Sequence, residues 1–197
     1  ERYTYQLQHT DEAVAEAAAE LINTLLDGKD YKFEFLMENL WWPGLTMTRP
    51  EITRLLLSGV HCPRAGIMLD TGHLMHTNLD LADQEEAAAY ILEQLRKHGA
   101  LTSRIRGIHL NQSLTGNYVR ELLKKQDQMP RDYTARQEDC YRHVFQIDRH
   151  LPFTGRGMRE IVKEVSPEYL TFEFITCDRR EQEEKLRLQR QALNFYQ

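Results

Sequence analysis

Apolar and polar positions alternate along the chain in two periods, and the two periods take turns. After Thr10, a helix-capping residue followed by Asp11 and Glu12, the apolar positions Val14, Ala17, Ala18, Leu21, Ile22, Leu25 and Leu26 recur at helical spacing, and Gly28 supplies a stop. A short apolar run from Phe33 to Glu38 then predicts a strand. "PEITRLLLSG" predicts a short helix with Pro50 at its start, and "AGIMLD" a second strand. "DLADQEEAAAYILEQLRKHG" is a helix with Ala88, Ile91, Leu92 and Leu95 inward; "RIRGIHL" is a strand. "GNYVRELLKKQ" and "TARQEDCYRHVF" read as helices, "VFQID" as a short extended segment, "GMREIVKEV" as a helix, "EYLTFEF" as a strand and "DRREQEEKLRLQRQAL" as a charged, solvated outer helix. Strand–helix alternation of this kind predicts an α/β fold with a parallel sheet in one domain spanning residues 1–197.

Each predicted strand ends on a group that can ionise: Glu38, Asp70, His109, Asp148 and Glu173, spaced roughly 25–40 residues apart. Parallel strands bring their carboxyl ends to one face, the face that carries chemistry in a β/α barrel. Singly, such a residue reads as a cap, a turn former or a surface charge; Asp70 before Thr71-Gly72 has the chemistry of a turn. Five in succession, with His73 and His150 on the adjoining loops, read as a site. So many carboxylates and imidazoles around a small volume call for a cation, and oxygen and nitrogen donors without thiolate suit Zn, Mn, Mg or Co. Of the other histidines, His98 falls at a helix end, where a cation suits the dipole, His143 falls on a helix face, and His76 has no assigned role.

Composition narrows the partners. Hydrophobic residues make up 41% and charged residues 28%, as in ordinary globular domains, and the net charge of −5 advertises no nucleic-acid-binding field. Cys62, Cys140 and Cys177 are scattered and lack zinc-ribbon spacing, which suits a reducing compartment. With no apolar run near the ~20 residues of a membrane span and no secretory leader, the expectation is a cytoplasmic protein without a membrane partner.

The ordered set "FLMENL", "IMLDTGH", "GIHLN", "IDRH" and "LTFEF" resembles the xylose-isomerase-like TIM-barrel superfamily, from about Phe33 to Phe174. That group holds sugar and sugar-phosphate isomerases and epimerases as well as type-IV abasic-site endonucleases. The resemblance implies a divalent metal on Glu38, Asp70, His109 and Glu173. His73 then contacts substrate in the epimerases or joins a second metal in the endonucleases, where Asp148 and His150 hold a further ion. A complete barrel has eight strands and about 250 residues. Five are counted here, including the segment before Asp148, so the chain is expected to be the later part of a barrel, truncated at its N-terminus.

Two mechanisms compete with a non-catalytic reading. In the isomerase or epimerase of a sugar or sugar phosphate, Glu38 and Glu173 transfer protons beside a metal-bound carbonyl, His73 orients a hydroxyl, and Trp41 and Trp42 wall the sugar ring or merely pack the barrel mouth. Asn111, Arg149 and Arg156 complete the candidate substrate contacts; "FTGRGMRE" offers an anion nest around Arg156, with a plain turn-and-cap as its simpler reading. In the zinc-dependent phosphodiester hydrolase, the same carboxylates are ligands and Asp148 and His150 are essential. A non-catalytic relative or inactive fragment is the third class. The acidic balance favours the isomerase, with a small-molecule substrate in preference to nucleic acid; a homo-oligomer is compatible with the sequence.

Overall fold

The computed structural model describes residues 8–125 and 130–193. Thr10 caps helix α1 (Asp11–Leu26) by accepting the Ala13 N–H, and Gly28 follows its end with φ 73°. Strand β1 (Phe35–Glu38) leads to α2 (Pro50–Gly59), with Pro50 at its first turn. Strand β2 (Ala65–Asp70) runs directly into a five-residue helix, α3 (Thr71–Met75), whose cap is Asp70 itself. Helix α4 (Gln84–His98), capped by Asp83, ends in a 3-10 turn that feeds β3 (Ile105–His109). Helices α5 (Gly116–Leu123), α6 (Tyr133–Ile147) and α7 (Gly157–Val165) precede β4 (Tyr169–Thr171), and α8 (Arg179–Leu193) closes the described fold.

The four strands form one parallel sheet in the order β1-β2-β3-β4. Glu38 lies opposite Met68, Asp70 opposite His109, and His109 opposite Thr171. Because side chains alternate along a strand, this register puts Glu38, Asp70 and His109 on one face at the carboxyl ends. The other face carries Ile67, Leu69 and Ile108, all inaccessible, against Leu74, Ile91, Leu95, Met158 and Ile161 from the helices. Removing these side chains from water is the main stabilisation that holds the sheet. Toward the amino ends of the strands, Arg106 spans Glu34 (2.6 Å) and Glu168 (2.6 Å), tying β3 to the segments entering β1 and β4. Among the described residues, β1 and β4 are each paired on one side only, so the sheet is an open arc of a barrel.

The architecture is the expected α/β one, with three local corrections. "VFQID" is not extended: α6 continues to Ile147, so the described sheet has four strands and Asp148 caps a helix end. The cluster Val144, Phe145, Ile147 has strand propensity, but Asp132 caps the helix by accepting the Ala135 N–H, and His143 and Ile147 are buried at helical spacing. Burial of one helix face outweighed local propensity. Strand β4 ends at Thr171, leaving Glu173 two residues beyond it. His98 is no surface cation: it is buried, with Nε2 2.9 Å from Thr53 Oγ1 and Nδ1 donating to Gln94 O, and burial lowers its pKa. No described helix is long and apolar enough to cross a membrane.

Candidate metal centre

Asp70 anchors the site. It is fully buried, and its backbone is held like a ladder rung by Asn39: the Asp70 N–H donates to Asn39 Oδ1 (2.7 Å) and Asn39 Nδ2 donates to Asp70 O (3.0 Å). Its carboxylate is divided between two donors. Oδ1 accepts the His73 N–H (2.7 Å), capping α3, and Oδ2 accepts Asn111 Nδ2 (2.7 Å). Turn chemistry and site chemistry are therefore the same residue. Burial raises the Asp70 pKa, against the opposing pull of His73 and these hydrogen bonds.

Two donor groups meet at Asp70. In the first, Glu38, Asp70, His109 and Glu173 each offer an atom within 4.8 Å of the others. His109 Nδ1 stands 2.9 Å from Glu173 Oε2, 3.5 Å from Glu38 Oε1 and 3.8 Å from Asp70 Oδ2, yet it is buried without an aligned hydrogen bond. In the second, Asp70, His73 and His150 lie within the same limit of one another. Asp148 stands beside them, with Oδ2 2.9 Å from His150 Nε2 and 3.3 Å from His73 Nε2. His73 Nδ1 donates to Asn39 O (2.8 Å) and Nε2 donates to Asp148 Oδ2, so in the metal-free site both ring nitrogens carry protons, and Nε2 would serve as a ligand once its proton is displaced.

The electrostatics are those of a cation-binding site. Burial opposes charge on Glu38, but the imidazoles of His109 and His73 hold its pKa down to about 2. Burial also opposes charge on His73, yet Asp148 and Glu38 push it up to about 11. His109 is raised, first by Glu38; His150 is raised by Asp148 against its burial; and Asp148 is driven far down by His150, His73 and His76 despite its own. Protons on histidines thus compensate the carboxylates where a divalent ion would otherwise do so. His109 Nδ1, Asp148 Oδ1 and His76 Nε2 are each buried beside a carboxylate or an imidazole without an aligned hydrogen bond, geometry that a bound cation would satisfy, and the hard oxygen and imidazole donor set fits a divalent ion.

Sequence reasoning left His76 without a role. It sits at the end of α3, buried, with Nε2 3.5 Å from Asp148 Oδ1. The signal was available: His73 and His76 are three apart after a capping Asp, which places both on one face of one short turn. Trp41 lies edge-on to both rings, with centroids 5.0 Å from His73 and 4.8 Å from His76, and Trp42 is edge-on to Trp41 at 4.7 Å. Trp41 therefore walls the histidines from the β1 side.

The remaining candidates fall outside this group. Asn111 is fully buried on Asp70, so its described contacts are with the protein. Arg149 and Arg156 are exposed. The nest at Arg156 is already filled: Gln84 Oε1 accepts from Gly155 N (2.6 Å) and Thr154 N, and Glu85 Oε1 accepts from Arg156 N (2.8 Å). An anion there would meet a carboxylate, and the turn-and-cap reading holds.

A sequence model of the xylose isomerase-like TIM barrel matches residues 3–195, nearly the whole chain. The chain belongs to that family. No curated protein matches it by sequence. Membership in the xylose isomerase-like group supports an activity of the sugar isomerase, epimerase or abasic-site endonuclease type, and the family's common use of divalent metals agrees with the two donor groups.

Proposed function

We propose that the chain is a metal-dependent phosphodiester hydrolase that uses both donor groups. The observation that carries this reading is the second group: His73, Asp148 and His150 stand next to the first and share Asp70 with it. Divalent ions bound at the two groups would lower the pKa of a water and offset charge on the attacking and leaving oxygens of a phosphoryl transfer. Glu38, Asp70, His109 and Glu173 would hold one ion; His73, Asp148 and His150 would hold the other. Trp41 excludes water from the His73 side and gives an apolar wall to whatever the phosphate carries.

Sugar isomerisation or epimerisation is the competing reading, favoured by the acidic surface. It needs the first group alone, with Glu38 and Glu173 moving protons. Glu38 fits that role poorly. Glu38 and Glu173 both approach the same nitrogen of His109, Glu38 Oε1 at 3.5 Å and Glu173 Oε2 at 2.9 Å, which clusters them as ligands around one point and does not set them on opposite faces of a substrate. The isomerase reading also gives Asp148 and His150 no work.

The deciding experiment is turnover of a generic phosphodiester, bis(p-nitrophenyl) phosphate, by zinc- and manganese-loaded protein beside a panel of aldoses, ketoses and their phosphates. The hydrolase reading expects ester cleavage that Asp148→Ala abolishes. Sugar interconversion that survives Asp148→Ala, with no ester cleavage, would overturn it.

A further inference from the structure

The five residues leaving β3, His109 to Ser113, touch both donor groups at every second position. His109 is itself in the first group. Asn111 donates Nδ2 to Asp70 Oδ2 (2.7 Å), the carboxylate common to both groups. Ser113 Oγ accepts two successive backbone N–H groups on the far side, Arg149 N (2.9 Å) and His150 N (3.2 Å). Gln112, between them, forms an antiparallel bridge with Leu151 through bonds of 2.8 and 3.0 Å. Thr71 locks the near end: its Oγ1 donates to Asn111 O (2.6 Å) and accepts Asn111 N (3.1 Å). Asn111 is inaccessible and Ser113 nearly so.

This segment explains a strained residue. His150 has φ 43°, a left-handed conformation that a non-glycine residue adopts only when its surroundings impose it. The imposing contacts are the Ser113 hydroxyl on the 149 and 150 amides and the Gln112 bridge on the next residue. The left-handed turn brings the His150 ring back beside Asp148, 2.9 Å away, two residues along the chain.

We propose that Asn111 and Ser113 are positioning residues with separable effects. Asn111 fixes the carboxylate shared by both ion sites, and Ser113 fixes the His150 half of the second site alone. The inference rests on the two-ion reading above. Neither residue touches substrate or ion; each acts through the ligand it holds, as outer partners of metal ligands do.

The test is metal affinity, read without turnover. Zinc is titrated into apo-protein against a chromophoric chelator, and Co2+ spectra are recorded in parallel. Asp148→Ala identifies which binding step belongs to the second group. Ser113→Ala is expected to weaken that step about 10–100-fold and leave the other unchanged, while Asn111→Ala weakens both. Ser113→Thr keeps the hydroxyl and restores the second step. If Ser113→Ala fails to fold, Ser113→Cys keeps the shape with a poorer acceptor and is expected to weaken the second step alone. A parent protein with two ions whose Ser113→Ala or Ser113→Cys variant binds both as tightly overturns this inference and spares the two-ion reading. So does a Ser113 variant that loses both steps alike, or a Ser113→Thr variant no better than Ser113→Ala. A parent that binds a single ion overturns both.

Discussion

Gly72→Ala is the sharpest probe of how tightly the site is set. A Cβ built on Gly72 falls 2.0 Å from Asn111 Oδ1, 3.2 Å from its Cγ and 3.3 Å from Asp70 Oδ1. Asn111 is flexible in principle, but here it is fully buried and committed to Asp70. To make room, it must give up its bond to the carboxylate or displace α3. Loss of a hydrogen bond to a charged acceptor costs about 1.5–3 kcal/mol. Overpacking of a filled interior costs about 1–3 kcal/mol. Alanine in place of glycine within a helix returns about 1 kcal/mol. With both costs incurred, the net expectation is a loss of about 1.5–5 kcal/mol in stability. Denaturant unfolding of the chelator-treated protein measures it. The reasoning also fixes a coupling: once Asn111→Ala has removed the obstructing oxygen, adding Gly72→Ala costs nothing or stabilises slightly. If Gly72→Ala lies within about 0.5 kcal/mol of the parent, a resolution set by ordinary surface substitutions, the close approach does not constrain the site. If it costs as much on the Asn111→Ala background, the clash is not with Asn111.

Three other outcomes are expected. Gln189, buried on α8, accepts from Phe153 N (2.7 Å) and donates to Phe153 O (2.8 Å); Gln189→Ala strands both backbone groups and costs about 2–5 kcal/mol in unfolding free energy, and a loss below about 1 kcal/mol would refute the clamp. Ion binding at neutral pH expels protons, because carboxylates push His73 up to about 11 and also raise His109 and His150; affinity therefore rises with pH, and calorimetric enthalpies depend on the buffer's ionisation heat, whereas a zero dependence would contradict the assignment. Burial pulls His143 down to about 4, so between an unfolded value of about 6.5 and that point the unfolded chain binds the extra proton and stability falls as pH drops; His143→Phe flattens that stretch of the apo-protein's pH–stability curve, and an unchanged slope would refute it.

How much of this was legible depends on what determines each feature. The strand-end donors Glu38, Asp70 and His109 were readable because burial of Ile67, Leu69 and Ile108 on one face sets the strands, and alternation then fixes where the next residue points. The local roles were not readable. Nothing in the order of residues says that Asn111 turns toward Asp70 and not toward solvent, since that choice is made by Gly72 leaving the space open. Asp148 does lie beside His73 and His150, but at a helix end and not at the strand end expected of it. The run Val144, Phe145, Ile147 has strand character, and its helical form is imposed by the Asp132 cap and by the packing of α6 against α5.

That misreading bears on function. A donor at a strand end is held by the sheet, whereas Asp148 follows a helix and His150 follows a left-handed turn, so neither is fixed by the sheet's hydrogen-bond ladder. Their placement depends on side-chain contacts: Ser113 on the amides, and His73, His76 and His150 on the Asp148 carboxylate. The first donor group therefore rests mainly on backbone register and the second on side-chain hydrogen bonds. Single substitutions outside the ligand set should spare the first and damage the second, except at Asn111 and Gly72, which act on the one carboxylate that the two groups share.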